Sequence, residues 1–111
     1  MLPTKAEAVT LFADVGMRPG RGTMFQEDST GQATGCLLGA MVLNVIGRER
    51  LRAHMRIPKP GVTPDNLADI LGLTLDQFLA VAHGFDGDAC HERDDPDTYE
   101  WARSVAFAVF P

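Results

Sequence analysis

Cysteine is scarce in this chain, with two among 111 residues, Cys36 and Cys90. So low a content excludes a disulfide-stapled scaffold, and with one thiol in an apolar run and the other in an acidic loop, both are read as free. Long apolar runs are lacking as well. The longest weakly polar stretch, Cys36 to Gly47, falls far short of the ~20 residues needed to cross a bilayer, so it is read as a core helix and no membrane partner is expected. Lys5 and Glu7 interrupt the first turns, where a secretory signal would be continuously apolar. The expected location is therefore cytoplasmic. Positive charge is also short, since 10 Lys and Arg face 15 Asp and Glu for a formal net charge of −5. That balance disfavours a nucleic-acid partner, whose phosphates would be repelled.

What is present is enough for one core. The chain is 45% hydrophobic, which excludes wholesale disorder, and its length suits a single domain. Charge is unevenly spread along it. Residues 1–59 carry eight basic and five acidic side chains, a balance of +3, whereas residues 60–111 carry two against ten, a balance of −8. Arg48, Arg52, Arg56 and Lys59 fall in a local basic stretch, and residues 86–100 form an acidic one. The plain reading of both is solvated surface; the functional reading is partner recognition.

Helix signals dominate. Thr4 with Glu7 is a capping box opening a helix over Lys5–Val15, which Gly16 ends. Residues 16–35 hold five glycines and Pro19 with almost no periodicity, and so read as a long loop, a type of segment that is usually functional or mobile. Met24 and Phe25 are its large apolar residues. Cys36–Ile46 is apolar nearly all round, the mark of a helix buried on most sides, with Gly39 and Ala40 small enough to let a neighbouring helix approach. Arg48–Arg56 follows, until Pro58 and Pro60 break it. Thr63-Pro64 opens another helix that ends at Gly72, and Thr74 with Gln77 opens a third over Leu75–His83, with Gly84 as its stop. The last helix starts at Asp95-Pro96, or at Asp97 with Glu100, and carries Tyr99, Trp101, Val105 and Phe107. No segment alternates with period 2. The expected fold is all-α: a single-domain bundle of about five helices, with a long Gly-rich loop at 16–35 and an acidic loop at 84–96.

Residues 67–78 resemble the helix-turn-helix of DNA-binding repressors, with Ala68, Gly72 and Phe78 at its small, turn and buried positions. That resemblance implies a DNA-binding regulator, yet the second helix offers outward Thr74, Leu75, Asp76, Leu79 and Ala80, and only Gln77 is suited to reading bases. A structural helical hairpin is the plainer reading. Cys36 at a helix start would feel the positive end of the dipole, which favours thiolate. With Gln26 as an oxyanion donor and His54, His83 or His91 as the base, the set is similar to that of papain-like hydrolases. Those enzymes carry the histidine on a sheet, which has no counterpart in this reading. A buried structural cysteine is the alternative.

Counting Asp86 as the first position, Asp88, Cys90, Glu92, Asp94 and Asp97 fall at calcium-loop positions 3, 5, 7, 9 and 12. His91 then replaces the turn glycine, Cys90 supplies a soft thiol, and Asp97 is short for bidentate reach. His83, Cys90 and His91 give three zinc ligands without paired spacing. A solvated acidic turn needs no metal, and no cofactor is expected. Arg18-Pro19-Gly20-Arg21-Gly22 has arginines among flexible glycines, as an anion site does, but lacks the Gly-Lys-Ser ending of a P-loop.

Taken in order, residues 35–40 with their Cys-x-Leu-Gly-Ala helix, Leu71-Gly72-Leu73, and Phe85-Asp86-Gly87 before a last helix resemble small uncharacterised helical domains of bacteria and phages. The likeness spans about two thirds of the chain and implies no activity. Without a complete catalytic set, the sequence points to an intracellular domain that binds another protein, in an inhibitory or regulatory role. Arg18, Arg21, Phe25, Gln26, Arg48, Arg52, Arg56, Asp86 and Asp88 are the contact candidates, and a two-fold contact through Leu75 and Leu79 is open. The other readings are a helix-turn-helix regulator, and a hydrolase using Cys36, Gln26 and His83 or a metal at Asp86, Asp88, Cys90 and His91.

Overall fold

The computed structural model describes residues 2–56, 64–88 and 93–110, with the side chains of 54–56 and 64–66 outside that description. Among these residues it shows six helices and three short strands. The chain is mostly helical, but the all-α bundle of five helices needs correcting: the segment 16–35, expected as a loop, holds a three-stranded sheet.

Helix α1, Lys5–Val15, starts as read: Thr4 N–H donates to Glu7 Oε1 at 3.0 Å and Glu7 N–H to Thr4 Oγ1 at 3.2 Å, closing the capping box. Gly16 ends it with φ +70°, a left-handed conformation that other residues resist. Strands β1 (Met17–Pro19), β2 (Gln26–Glu27) and β3 (Ala33–Gly35) follow. Strand β3 is central, parallel to β1 and antiparallel to β2, with Thr34 opposite both Arg18 and Gln26. A turn closed by Asp28 joins β2 to β3: its carboxylate accepts from Thr30 N–H at 2.9 Å, Thr30 Oγ1 at 2.6 Å and Gln32 N–H at 3.0 Å.

Helix α2, Leu37–Ile46, is buried from Leu37 through Leu43, and Cys36 is its N-cap. It runs on through Gly47 into α3, Arg48–Arg56, whose Leu51 is fully buried. Helices α4 (Pro64–Leu71) and α5 (Leu75–Asp86) are joined at Gly72, and the second capping box, Thr74 with Gln77, is closed by bonds of 2.9 and 3.1 Å. The Thr63 cap read for α4 lies outside the described residues. Helix α5 runs past Gly84 and stops at Gly87, φ +79°. Gly84 is instead where α5 meets α6 (Pro96–Val109), since a methyl group there would overlap the Tyr99 carbonyl. Asp95 caps α6 by accepting from Thr98 N–H at 3.2 Å. The core centres on α2, α5 and α6, with Leu37, Val42, Val81, Phe85 and Val105 fully buried. Phe85 stacks on Phe12 at 5.8 Å and meets Phe110 at 5.4 Å.

Candidate functional site

Cys36 is the first candidate. Its N–H donates to Thr23 O at 2.9 Å, and the residue is buried. The thiol sits above its ordinary pKa because burial penalises the thiolate, against a smaller opposite pull from the Gly39 amide in the first turn of α2. The helix-dipole expectation of a thiolate is thus outweighed by desolvation. Cys36 lines a cavity of about 300 Å³ together with Thr23, Met24, Leu38, Phe78 and Asp86. Neither Gln26 nor His83 lines it. Gln26 is exposed on β2, and His83 Nδ1 lies 3.3 Å from Asp88 Oδ2. Among the described residues, Gln26 and His83 thus share no lining with Cys36 in that cavity; His91 and the side chain of His54 lie outside the described residues.

Glycines shape this region. A methyl on Gly35 or Gly39 would overlap the Met24 carbonyl. At Gly39 the small residue therefore admits the strand-linking segment of the sheet, where the sequence suggested a neighbouring helix.

Two arginines of the basic stretch turn toward the sheet, while Arg50 is exposed. Arg52 donates to both Glu27 carboxylate oxygens at 2.6 Å, a bidentate pair between α3 and β2. Arg48 lies 3.8 Å from the same carboxylate and donates to Gly31 O at 3.1 Å and Gly16 O at 3.4 Å. Both arginines hold the sheet onto α3. The side chain of Arg56 lies outside the described residues. Phe25 is a core residue, and Arg18 is exposed on β1.

Arg21 and Asp86, far apart in sequence, meet. Arg21 Nε donates to Phe85 O at 3.4 Å with its guanidinium 4.4 Å from the Phe110 ring centre, and Gly22 N–H donates to Asp86 Oδ1 at 3.2 Å. This latch ties the segment after β1 to the end of α5. It also engages Asp86, the first proposed metal ligand, while Asp88 faces His83. Cys90 and His91 lie outside the described residues, and among the described ones no group of three His, Cys, Asp or Glu is placed to hold a metal. No helix among them is long and apolar enough to cross a membrane.

A further concavity was not foreseen. A groove of about 440 Å³ runs between α1, α2 and the end of α4, with Leu11, Met41, Val45 and Leu71 as apolar lining and Glu7 and Asp14 among its polar residues. Val45 is 57% exposed. No family model, curated protein or solved structure matches the chain. The groove must therefore be read from its own chemistry. Asn44, the polar interruption in the apolar run of α2, was the sequence signal for it, since it marks the side of that helix that opens to solvent.

The α4–α5 hairpin forms with its turn at Gly72, φ +69°. Ala80, expected outward, is fully buried, while Leu75 and Asp76 are exposed. Residues 64–88 contain no Lys or Arg, so the hairpin has no cation to offer phosphate.

Proposed function

We propose that the chain is a small intracellular protein-binding module whose groove between α1, α2 and α4 receives a basic amphipathic helix of a partner. One observation carries the reading: a groove that sets Leu11, Met41, Leu71 and the exposed Val45 beside the carboxylates of Glu7 and Asp14, on a chain of net charge −5. Exposed aliphatic groups in a concave surface gain by leaving water, and a helix laid in a groove does this with residues spaced three and four apart. Flanking carboxylates then select a partner with Lys or Arg beside its apolar stripe and speed encounter with it. A regulatory or inhibitory role follows if the helix so covered is needed elsewhere.

The reading departs from the sequence expectation in one respect. Recognition moves from the glycine-rich segment, now a sheet held by Arg48 and Arg52, to the opposite side of α2. The test is affinity purification with the intact chain beside Val45→Asp and Asp14→Lys. A basic partner retained at low ionic strength, released by salt, and lost with both variants supports it. Equal retention by the variants, or no partner at low salt, rejects it.

A further inference from the structure

A third concavity lies where the Arg21 latch meets the α5–α6 pair. It measures about 230 Å³ and is lined by Arg21, Phe85, Tyr99, Arg103 and Phe107, together with Gly84 and Gly87. We propose that it binds a small aryl anion, a flat ring bearing a carboxylate or phosphate. This inference is independent of the groove.

The charge pattern is the first support. In a chain with five more acids than bases, two guanidiniums from separate elements line one cavity, and no carboxylate lines it with them. Arg48 and Arg52 are committed to Glu27. Among the described residues, neither Arg21 nor Arg103 forms an ion pair. Arg21 is nonetheless oriented: its Nε bond to Phe85 O at 3.4 Å and its contact with the Phe110 ring aim the guanidinium and leave the terminal nitrogens for a ligand. Paired N–H groups in such a fork match the two oxygens of a carboxylate or phosphate.

The aromatic lining is the second support. Phe107 is 63% exposed, the most exposed large apolar side chain among the described residues, and the Arg103 guanidinium lies 5.4 Å from its ring centre. A flat ligand ring gains area and stacking there. Size agrees, since a cavity of about 150 Å³ holds a benzene ring, and 230 Å³ leaves space for an oxyanion. Asp97 and Glu100 on the exposed side of α6 work against a bare anion at longer range, so the ring contacts must supply part of the affinity.

The sequence offered Arg21 as an anion contact but paired it with Arg18. Phe107 was legible only as an apolar residue of the last helix, and Arg103, one turn before it, carried no motif.

The test titrates the full chain with phenyl phosphate, benzoate and inorganic phosphate, followed by NMR. Saturable shifts at Gly84, Gly87 and Phe107 with either aryl anion, and at least tenfold weaker binding in Arg103→Gln with an unchanged melting temperature, are expected. Phe107→Ala should weaken the aryl anions and leave inorganic phosphate as it was. Arg21→Gln disturbs the latch as well, so Arg103→Gln carries the test. Absence of shifts with both aryl anions overturns the proposal. So does unchanged affinity in Arg103→Gln, or inorganic phosphate binding as tightly as phenyl phosphate.

Discussion

Gly39→Ala sets two effects of opposite sign against each other. Gly39 lies inside α2 and has no positive φ, so helix propensity alone gives alanine an advantage of about 1 kcal/mol. Packing says the reverse. The added methyl would overlap the Met24 carbonyl, and that obstacle is backbone, which cannot swing aside as a side chain does. Its neighbours hold it there: Thr23 O accepts the Cys36 N–H at 2.9 Å, and Phe25 is buried. Overpacking of this kind costs about 1–3 kcal/mol, and a fixed carbonyl places it at the upper end. The net is a loss of about 2 kcal/mol, or roughly 8 °C in melting temperature at about 4 °C per kcal/mol. The single Trp101 serves as the fluorescence reporter. Asn44→Ala, exposed on the same helix, is the control and should show the propensity gain alone. A Gly39→Ala melting temperature equal to or above the parent would refute the packing argument.

Three further outcomes follow from the same structure. Thr74→Ala removes the side-chain half of the α5 capping box and should cost about 1 kcal/mol, seen as a drop of roughly 4 °C in thermal melts. Cys36 should react with iodoacetamide more slowly than a free thiol, and stability should fall as pH rises beyond its ordinary value of 9.0, because the unfolded thiol then ionises while the folded one keeps its proton. The Asp28 carboxyl is held below its ordinary 3.8 chiefly by the Thr30 hydroxyl. Its contribution is therefore complete above that value and lost as pH falls through the lower folded one, so amide exchange at Thr30 and Gln32 should accelerate in acid, and Asp28→Asn should remove that dependence.

The legible parts of the fold were those written locally. Both capping boxes, Thr4 with Glu7 and Thr74 with Gln77, need only residues three apart, and both are present. The buried helix beginning after Cys36 was equally plain, because an all-round apolar run has few other places to go. The sheet was not legible. Strands of three, two and three residues are too short to display an alternation, and what fixes them is remote: Arg52 reaching Glu27, and Met24 lying over Gly35 and Gly39. Gly84 misled because a glycine near a helix end resembles a stop, whereas its purpose is the approach of Tyr99. The groove gave one signal, Asn44, and the Arg103–Phe107 pair gave none apart from its spacing.

The order β1-β3-β2 leaves two outward strand margins that face no partner strand in the sheet. Such margins invite templating by extended chains, the first step toward fibrils. One ends in Pro19, which has no N–H to offer, and carries the exposed cation of Arg18. The other is two residues long, with Glu27 anchored to Arg52. An intruding strand would meet too little backbone to grip, so a domain that contains a mixed sheet this small is guarded against self-propagating aggregation at both margins.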